Sequence, residues 1–391
     1  PRTVPVSLSY RRPEPVDTVI HAGLLWDATG TPPRADVDLL VSGGRITAVE
    51  PHRPRRRAAR TVDASRGTVL PGLWDAHVHP YPYTYGARQG ALHLAYGITT
   101  AVSLGGSAYE QARLREDIRA GRLAAPRLLA GGELLDGSRV AYSMGRAHRT
   151  HAGLARSLAR AEALDWDFVK TYVRAPYAFM EEAARFAREV LGVRSGSHLC
   201  APGIQSGQDL TTHLVATERA EYGHGTTPAG HTHQDTLELY TRGGFDLVAT
   251  PFTALPLIGA DPSLAADRRV TAMMPPWDAA TLKTAAAQPP TPEQYTALER
   301  EVAVYRAVLA GGGRVALGTD APLTPVGLHL HLALRALHRY GLSPAEPGKL
   351  ADLTLVDGDP FTDFADLVRV RAVLRAGTPY ARRTARTRTR S

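Results

Sequence analysis

Among the side chains of this 391-residue chain that can take part in holding a metal ion, six stand at or just after the end of a short strand-like run. Trp74-Asp75-Ala76-His77-Val78-His79-Pro80 places two histidines two residues apart. Side chains alternate along a strand, so His77 and His79 point the same way and can grip one ion. Phe168-Val169-Lys170 puts a lysine on a later strand; of 46 Lys and Arg residues only Lys170, Lys283 and Lys349 are lysines, so its presence there stands out. Ser195-Gly196-Ser197-His198 and Glu221-Tyr222-Gly223-His224 each add a histidine, and Leu317-Gly318-Thr319-Asp320 adds a carboxylate. The chemistry open to such a set is the activation of water for hydrolysis.

These residues need a frame that gathers strand ends. Between residues 72 and 346 short apolar runs alternate with helical periodicity, the signature of repeated β-α units and a parallel sheet or barrel. Eight strands are expected, at Leu73–His77, Ile98–Leu104, Arg127–Gly131, Phe168–Val173, Arg194–His198, Ala220–Tyr222, Leu247–Pro251 and Val315–Gly318. Helices are expected at Glu110–Ala120, Gly153–Leu164, Ala178–Leu191, Pro292–Ala310 and Gly327–Tyr340. In a parallel barrel the C-terminal strand ends share one mouth, where residues distant in sequence meet. Residues 16–71 and 347–378 read instead as short strands, with a hairpin turn at Ser42-Gly43-Gly44-Arg45, and are expected to pair into one small β-sandwich. Residues 379–391 form a basic tail.

The opening Val69-Leu70-Pro71-Gly72-Leu73-Trp74-Asp75-Ala76-His77-Val78-His79, the Gly318-Thr319-Asp320 closure and Pro347-Gly348-Lys349-Leu350-Ala351-Asp352-Leu353 resemble the amidohydrolase superfamily. The order His-x-His, Lys, His, His, Asp is similar to its branch of imidazolonepropionase-like enzymes and metal-dependent Xaa-Pro dipeptidases, over about residues 16–378. The resemblance implies a (β/α)8 barrel of TIM type with an appended β-sandwich, and two divalent metal ions, zinc favoured because His-rich carboxylate sites bind it well. It implies that His77, His79 and Asp320 hold the more buried ion, that His198 and His224 hold the more exposed one, and that Lys170 bridges both once carboxylated. An ammonium has no lone pair to offer, so the lysine must be modified or deprotonated to coordinate. Asp320 would be the catalytic base and then the acid in cleavage of an amide-type C–N bond, in a cyclic amide or a peptide-like substrate.

Substrate contacts are expected from Tyr81 and Tyr83, which follow the His-x-His motif with Tyr85, and from Tyr172, which faces the same way as Lys170. His231 and His233 lie after the sixth strand, and Trp277 in the Pro- and Ala-rich segment 253–291, expected to act as a lid over the mouth. Arg146, His148, Arg149 and His151 could meet a substrate carboxylate. His21, His52, His93, His213, His329, His331 and His338 are read as ordinary packing or surface histidines, and Cys200 as a small buried one. Two other functions compete: a mononuclear aminohydrolase of the same superfamily, which would lack a bridging lysine, and an inactive scaffold, which would lose ligands.

A relative of this kind carries a helical segment of a few tens of residues where Glu346 and Pro347 abut here. Residues are therefore expected to be missing at that junction, with a Cα separation well beyond the ~3.8 Å of a trans peptide.

The net charge of +8 suggests nucleic acid until it is located. Arg53, Arg55, Arg56, Arg57 and Arg60 sit in one Pro/Ala-rich stretch and Arg382, Arg383, Arg386, Arg388 and Arg390 in the tail, and these ten exceed the net charge. No aromatic residues are interleaved for base stacking, so no nucleic-acid partner is expected. No apolar run reaches membrane length and the first fifteen residues lack a secretory stretch, so neither a membrane partner nor export is expected. With one cysteine there is no internal disulfide, which fits the cytoplasm. The expected partner is a small-molecule substrate, with self-association into a homo-oligomer left open.

Overall fold

The computed structural model describes residues 17–80, 85–214, 231–342, 353–375 and 378–381. They fall into two compact units, one built on 74–92 and 100–342, the other on 17–73, 93–99 and the described part of 353–381. Residues 93–99 thus group with the β-rich ends and not with the α/β middle that the sequence assigns them to.

In the β-rich unit the two chain ends join one sheet. Its strands are β1 (Thr18–Leu25), β2 (Arg34–Ser42), β3 (Arg45–Pro51), β4 (Arg60–Pro71), β15 (Leu353–Asp357), β16 (Val370–Arg375) and β17 (Thr378–Ala381), hydrogen-bonded in the order β17-β16-β15-β4-β1-β2-β3. The N- and C-terminal segments meet where β4 pairs antiparallel with β15, Val69 opposite Leu355. The expected pairing of the ends is present, but as one continuous seven-stranded sheet and not as two separately bonded sheets. Its core takes Ile20, Leu39, Val41, Ala64, Val69, Leu355 and Leu374 from five of these strands. Ser42 pairs with Arg45 across the β2–β3 turn, and Gly43 and Gly44 both have positive φ (55° and 76°), which a two-residue hairpin matched to strand twist requires.

The other unit alternates strands and helices: β5 (Leu73–Val78), α1 (Arg88–Ala95), β6 (Ile98–Ser103), α2 (Ala108–Arg119), β7 (Arg127–Ala130), the small pair β8 (Leu134–Asp136) and β9 (Gly145–Ala147), α3 (His151–Ala163), β10 (Phe168–Lys170), α4 (Tyr177–Phe186), β11 (Arg194–Ser197), α5 (Cys200–Gln205), β12 (Leu210–Thr212), α6 (Gln234–Arg242), β13 (Asp246–Ala249), α7 (Ser263–Ala266), α8 (Pro276–Ala286), α9 (Pro292–Ala310), β14 (Val315–Leu317) and α10 (Leu328–Arg339). The α9 start is set locally: Thr291 and Gln294 cap each other's backbone N–H groups, with Pro292 at the first helical position.

Eight parallel strands lie in two arcs, β5-β6-β7 and β10-β11-β12-β13-β14. They do not form the one closed sheet expected; only a few backbone bonds cross each of the two seams instead. Asp167 N–H donates to Ala130 O at 2.8 Å at one, and Thr319 and Asp320 N–H donate to His77 O at 3.1 and 2.7 Å at the other. The strands are only three to six residues long, so few ladder bonds are available at a seam. Leu104, Phe168, Leu210 and Val248 cluster across the arcs, so apolar packing spans the break.

Seven of the eight strands lie where the sequence places them. The sixth place is taken by β12 at Leu210–Thr212, while Ala220–Tyr222 lies outside the described residues. The Glu346–Pro347 junction also lies outside them. Among the described residues no helix is long and apolar enough to cross a membrane.

Candidate metal centre

The C-terminal ends of β5 and β14 bring His77, His79 and Asp320 together. His77 Nε2 and His79 Nε2 are 3.2 Å apart, and Asp320 Oδ1 lies 3.3 Å from the first and 2.9 Å from the second. Ligand atoms tetrahedrally placed around zinc at about 2.0–2.1 Å stand about 3.3 Å apart, so these three suit one ion. His77 Nδ1 and Asp320 Oδ1 are buried without an aligned hydrogen-bond partner among the described residues, as expected of groups shaped for something other than each other. His79 is oriented by Gly105 O, 2.8 Å from its Nδ1, the outer contact that fixes a ligand tautomer.

Local backbone enforces this approach. A Cβ on Gly318 would sit 2.4 Å from His77 Cβ, so only glycine lets the β14 turn come so close to β5. Asp320 itself has φ +58°, a left-handed conformation costly for a non-glycine residue, held by its bond to His77 O. Asp75, fully buried, accepts from Thr319 N–H (3.0 Å), Thr319 Oγ1 (2.6 Å) and His77 N–H (3.3 Å). Burial outweighs those bonds and pushes its carboxyl up to about 7.

A second group adjoins the first. Lys170, at the end of β10 and fully buried, donates from Nζ to Thr212 Oγ1 at 2.6 Å, and the same hydroxyl is 3.0 Å from His198 Nδ1. Next to Thr212 stands His213, left-handed at φ +68°, whose ring centroid is 4.8 Å from those of both His77 and His198 and whose Nε2 is 3.7 Å from Asp320 Oδ2. Sequence reading set His213 aside because a three-residue strand carries too little periodicity to be seen; it occupies the strand-six position that reading gave to His224. His224 lies outside the described residues.

Electrostatics follow burial. Lys170 is pushed well below the usual amine value by desolvation, only partly opposed by Asp320, which favours its uncharged form. Desolvation likewise lowers His77 and His198 far below the ordinary imidazole value, and His213 to about 4. Burial alone would raise Asp320, but the close approach of His79 at 2.9 Å, with His213 and Lys170 nearby, keeps it below the usual carboxylate range. Burial thus favours the uncharged forms of Lys170, His77, His198 and His213, and the neighbouring groups favour the ionised form of Asp320, the directions that metal ligation requires.

Of the expected substrate residues, Tyr172 is buried edge-on against His198, centroids 4.5 Å apart, and near Tyr142 at 5.7 Å. Tyr81 and Tyr83 lie outside the described residues. His231 and His233 are exposed just before α6. Trp277, on α8, is exposed and packs edge-on to Tyr85 at 6.2 Å, while Tyr85 hydrogen-bonds Asp278. The 253–291 segment therefore touches the loop that follows the His-x-His motif. At its entrance Phe252, 40% exposed, stacks on His213 at 5.2 Å, a contact no sequence pattern signals. His148 is instead buried between Asp136 O and Ser157 Oγ, and His151 pairs with Glu182. His329 and His331 are fully buried on α10, not on the surface.

No protein-family model and no curated protein sequence matches the chain. Solved structures do match it in fold. A Xaa-Pro dipeptidase with methionine bound in its active site is similar over 94% of this chain and 100% of its own, at 18% identity and a TM-score of 0.65. A bottromycin amidohydrolase matches over 97% and 91% at 19% identity and a TM-score of 0.68. The A. niger ochratoxinase matches over 94% and 96% at 17% identity and a TM-score of 0.62. The fold is the one these solved structures share.

Proposed function

We propose that this chain is a metal-dependent hydrolase of the amidohydrolase superfamily that splits an amide-type C–N bond in a small molecule. One observation carries the reading: His77, His79, Lys170, His198, His213 and Asp320, from five different strand ends, gather in one buried cluster of ring nitrogens, an amine and a carboxylate. The fold shared with the dipeptidase and amidohydrolase structures supports it.

His77, His79 and Asp320 would hold one divalent ion, and His198, His213 and carboxylated Lys170 a second, zinc being the metal these donors suit. Such ions, when bound, bring the pKa of water toward neutrality and polarise a carbonyl oxygen. In its uncharged form the Lys170 amine can add to CO₂: the Nζ–C bond forms as one C=O π bond opens onto oxygen, a proton passes from the nitrogen to solvent, and the product is an anionic carbamate. Asp320, ionised at the mouth of the turn after β14, takes the proton of the attacking water and returns it to the leaving nitrogen as the C–N bond breaks. The products are a carboxylate and an amine. Tyr172 and Phe252 would line the substrate side, and Trp277 the lid.

The test is metal content and turnover in wild type and Lys170→Ala, on a panel of dipeptides, N-acyl amino acids and lactams. At least two ions per chain in wild type, with loss of metal and of most activity in Lys170→Ala, are expected. A Lys170→Ala protein with unchanged metal and full turnover would overturn the ligand role of Lys170 and favour the mononuclear aminohydrolase reading.

A further inference from the structure

The β-rich unit gathers a second set of metal-ligating side chains. His21 lies on β1, Asp36 on β2, and His52 just after β3. One ligand atom from each lies within 4.8 Å of the other two. His21 Nε2 is 2.8 Å from Asp36 Oδ1, and the two imidazoles lie face to face, centroids 3.5 Å apart and 11° from parallel. His52 Nδ1 is 2.7 Å from Oδ1 of Asp38, which is fully buried and also accepts from Arg53 N–H (3.1 Å) and Arg56 Nε (3.0 Å).

Three features make this more than a chance pairing. A buried carboxylate holding one imidazole nitrogen is the arrangement that fixes the tautomer of a metal-bound histidine, and it leaves the lone pair of His52 on Nε2. Asp36 has φ +51°, a left-handed residue inside a strand, with its carbonyl accepting the His52 N–H at 2.9 Å. That kink sets the carboxylate beside His21. The surroundings are acidic: His21 stands opposite Asp38 on β2 and opposite Asp63 on β4. Arg56 balances Asp38 and also bonds Glu50, and Arg371 lies by Asp63, leaving the Asp36 carboxylate to favour a cation.

We propose that His21, Asp36 and His52 form a transition-metal site of zinc or copper(II) type, completed by water and separate from the catalytic cluster. In-plane lone pairs cannot converge from parallel rings 3.5 Å apart, so binding turns the His21 ring about its Cβ–Cγ bond and exchanges its bond to Asp36 for a bond to the ion. His52 stays in place, held by Asp38. The ion ties β1, β2 and the segment after β3 together.

The experiment uses the full-length enzyme already loaded with zinc and dialysed at fixed free zinc. Wild type should hold one more ion per chain than His21→Ala/His52→Ala and than Asp36→Asn, with the same kcat/KM on any substrate found. Asn tolerates a left-handed backbone, so Asp36→Asn decides the matter if the double variant fails to fold. Asp38→Asn should weaken the extra site by about 10-fold or more, as loss of an outer-shell partner does. Added copper(II) should give wild type a nitrogen-coupled paramagnetic resonance signal that the variants lack. Equal metal content in wild type and every variant would overturn the proposal, whatever becomes of Lys170.

Discussion

Thr319 is bonded twice to Asp75, its N–H reaching Oδ1 at 3.0 Å and its hydroxyl reaching Oδ2 at 2.6 Å. Asp75 lies two residues before His77 and Thr319 one before Asp320, so a single buried carboxylate locks the two halves of the proposed first ion site together. Asp75→Ala should weaken metal binding by about 10- to 100-fold, the usual cost of losing an outer-shell partner. Thr319→Val keeps the backbone bond and should lose less. Metal titrations followed calorimetrically check this, and an Asp75→Ala protein with wild-type affinity would remove Asp75 from any positioning role.

His213 and His224 make opposite predictions. If the β12 end supplies the second-site histidine, His213→Ala should lose metal and drop activity at least 100-fold, while His224→Ala keeps its metal. Loss of metal in His224→Ala with none in His213→Ala would return the role to the residue the sequence favoured.

Phe252 presents a half-exposed ring over His213. Aromatic contacts contribute about 0.5–1.5 kcal/mol beyond burial, so Phe252→Ala should raise KM about 2- to 10-fold, with metal content intact and kcat changed less. An unaltered KM across the substrate panel would place Phe252 outside the pocket.

Acid stability should depend on His93. It is buried, its Nε2 has no hydrogen-bond partner among the described residues, and desolvation lowers its pKa from 6.5 to about 4. The fold holds the neutral ring, so its contribution is fully present above pH 6.5 and is lost as pH falls from there toward 4. Over that window the shift is worth about 3 kcal/mol. His93→Leu should flatten that limb of a denaturant-derived stability curve by a similar amount; a limb of unchanged slope would assign the acid sensitivity to other groups.

What could be read directly was set by local rules. His77 and His79 share a face because strand side chains alternate, and Asp320 follows a Gly-Thr pair that closes a strand. Lys170 stands out by its rarity alone. The β-rich ends showed their strand character, and the Ser42–Arg45 turn its glycines, since both depend on neighbours a few residues away.

The rest needed the third dimension. β12 is three residues long, so His213 carries no periodic signal, and it joins the cluster only because parallel pairing with β11 and β13 aligns its end with theirs. Pairing register also merges the chain ends into one sheet, and the short strands leave the parallel set as two arcs. Phe252 over His213, Tyr85 on Asp278, and His21 stacked on His52 are meetings across 39, 193 and 31 positions of sequence. Sequence by itself determined which residues could ligate and which stretches would be strand or helix, because those follow from side-chain chemistry and short-range periodicity. Which histidine of several sits at a shared strand end was decided by tertiary structure, because pairing register and burial depend on contacts that no local pattern encodes.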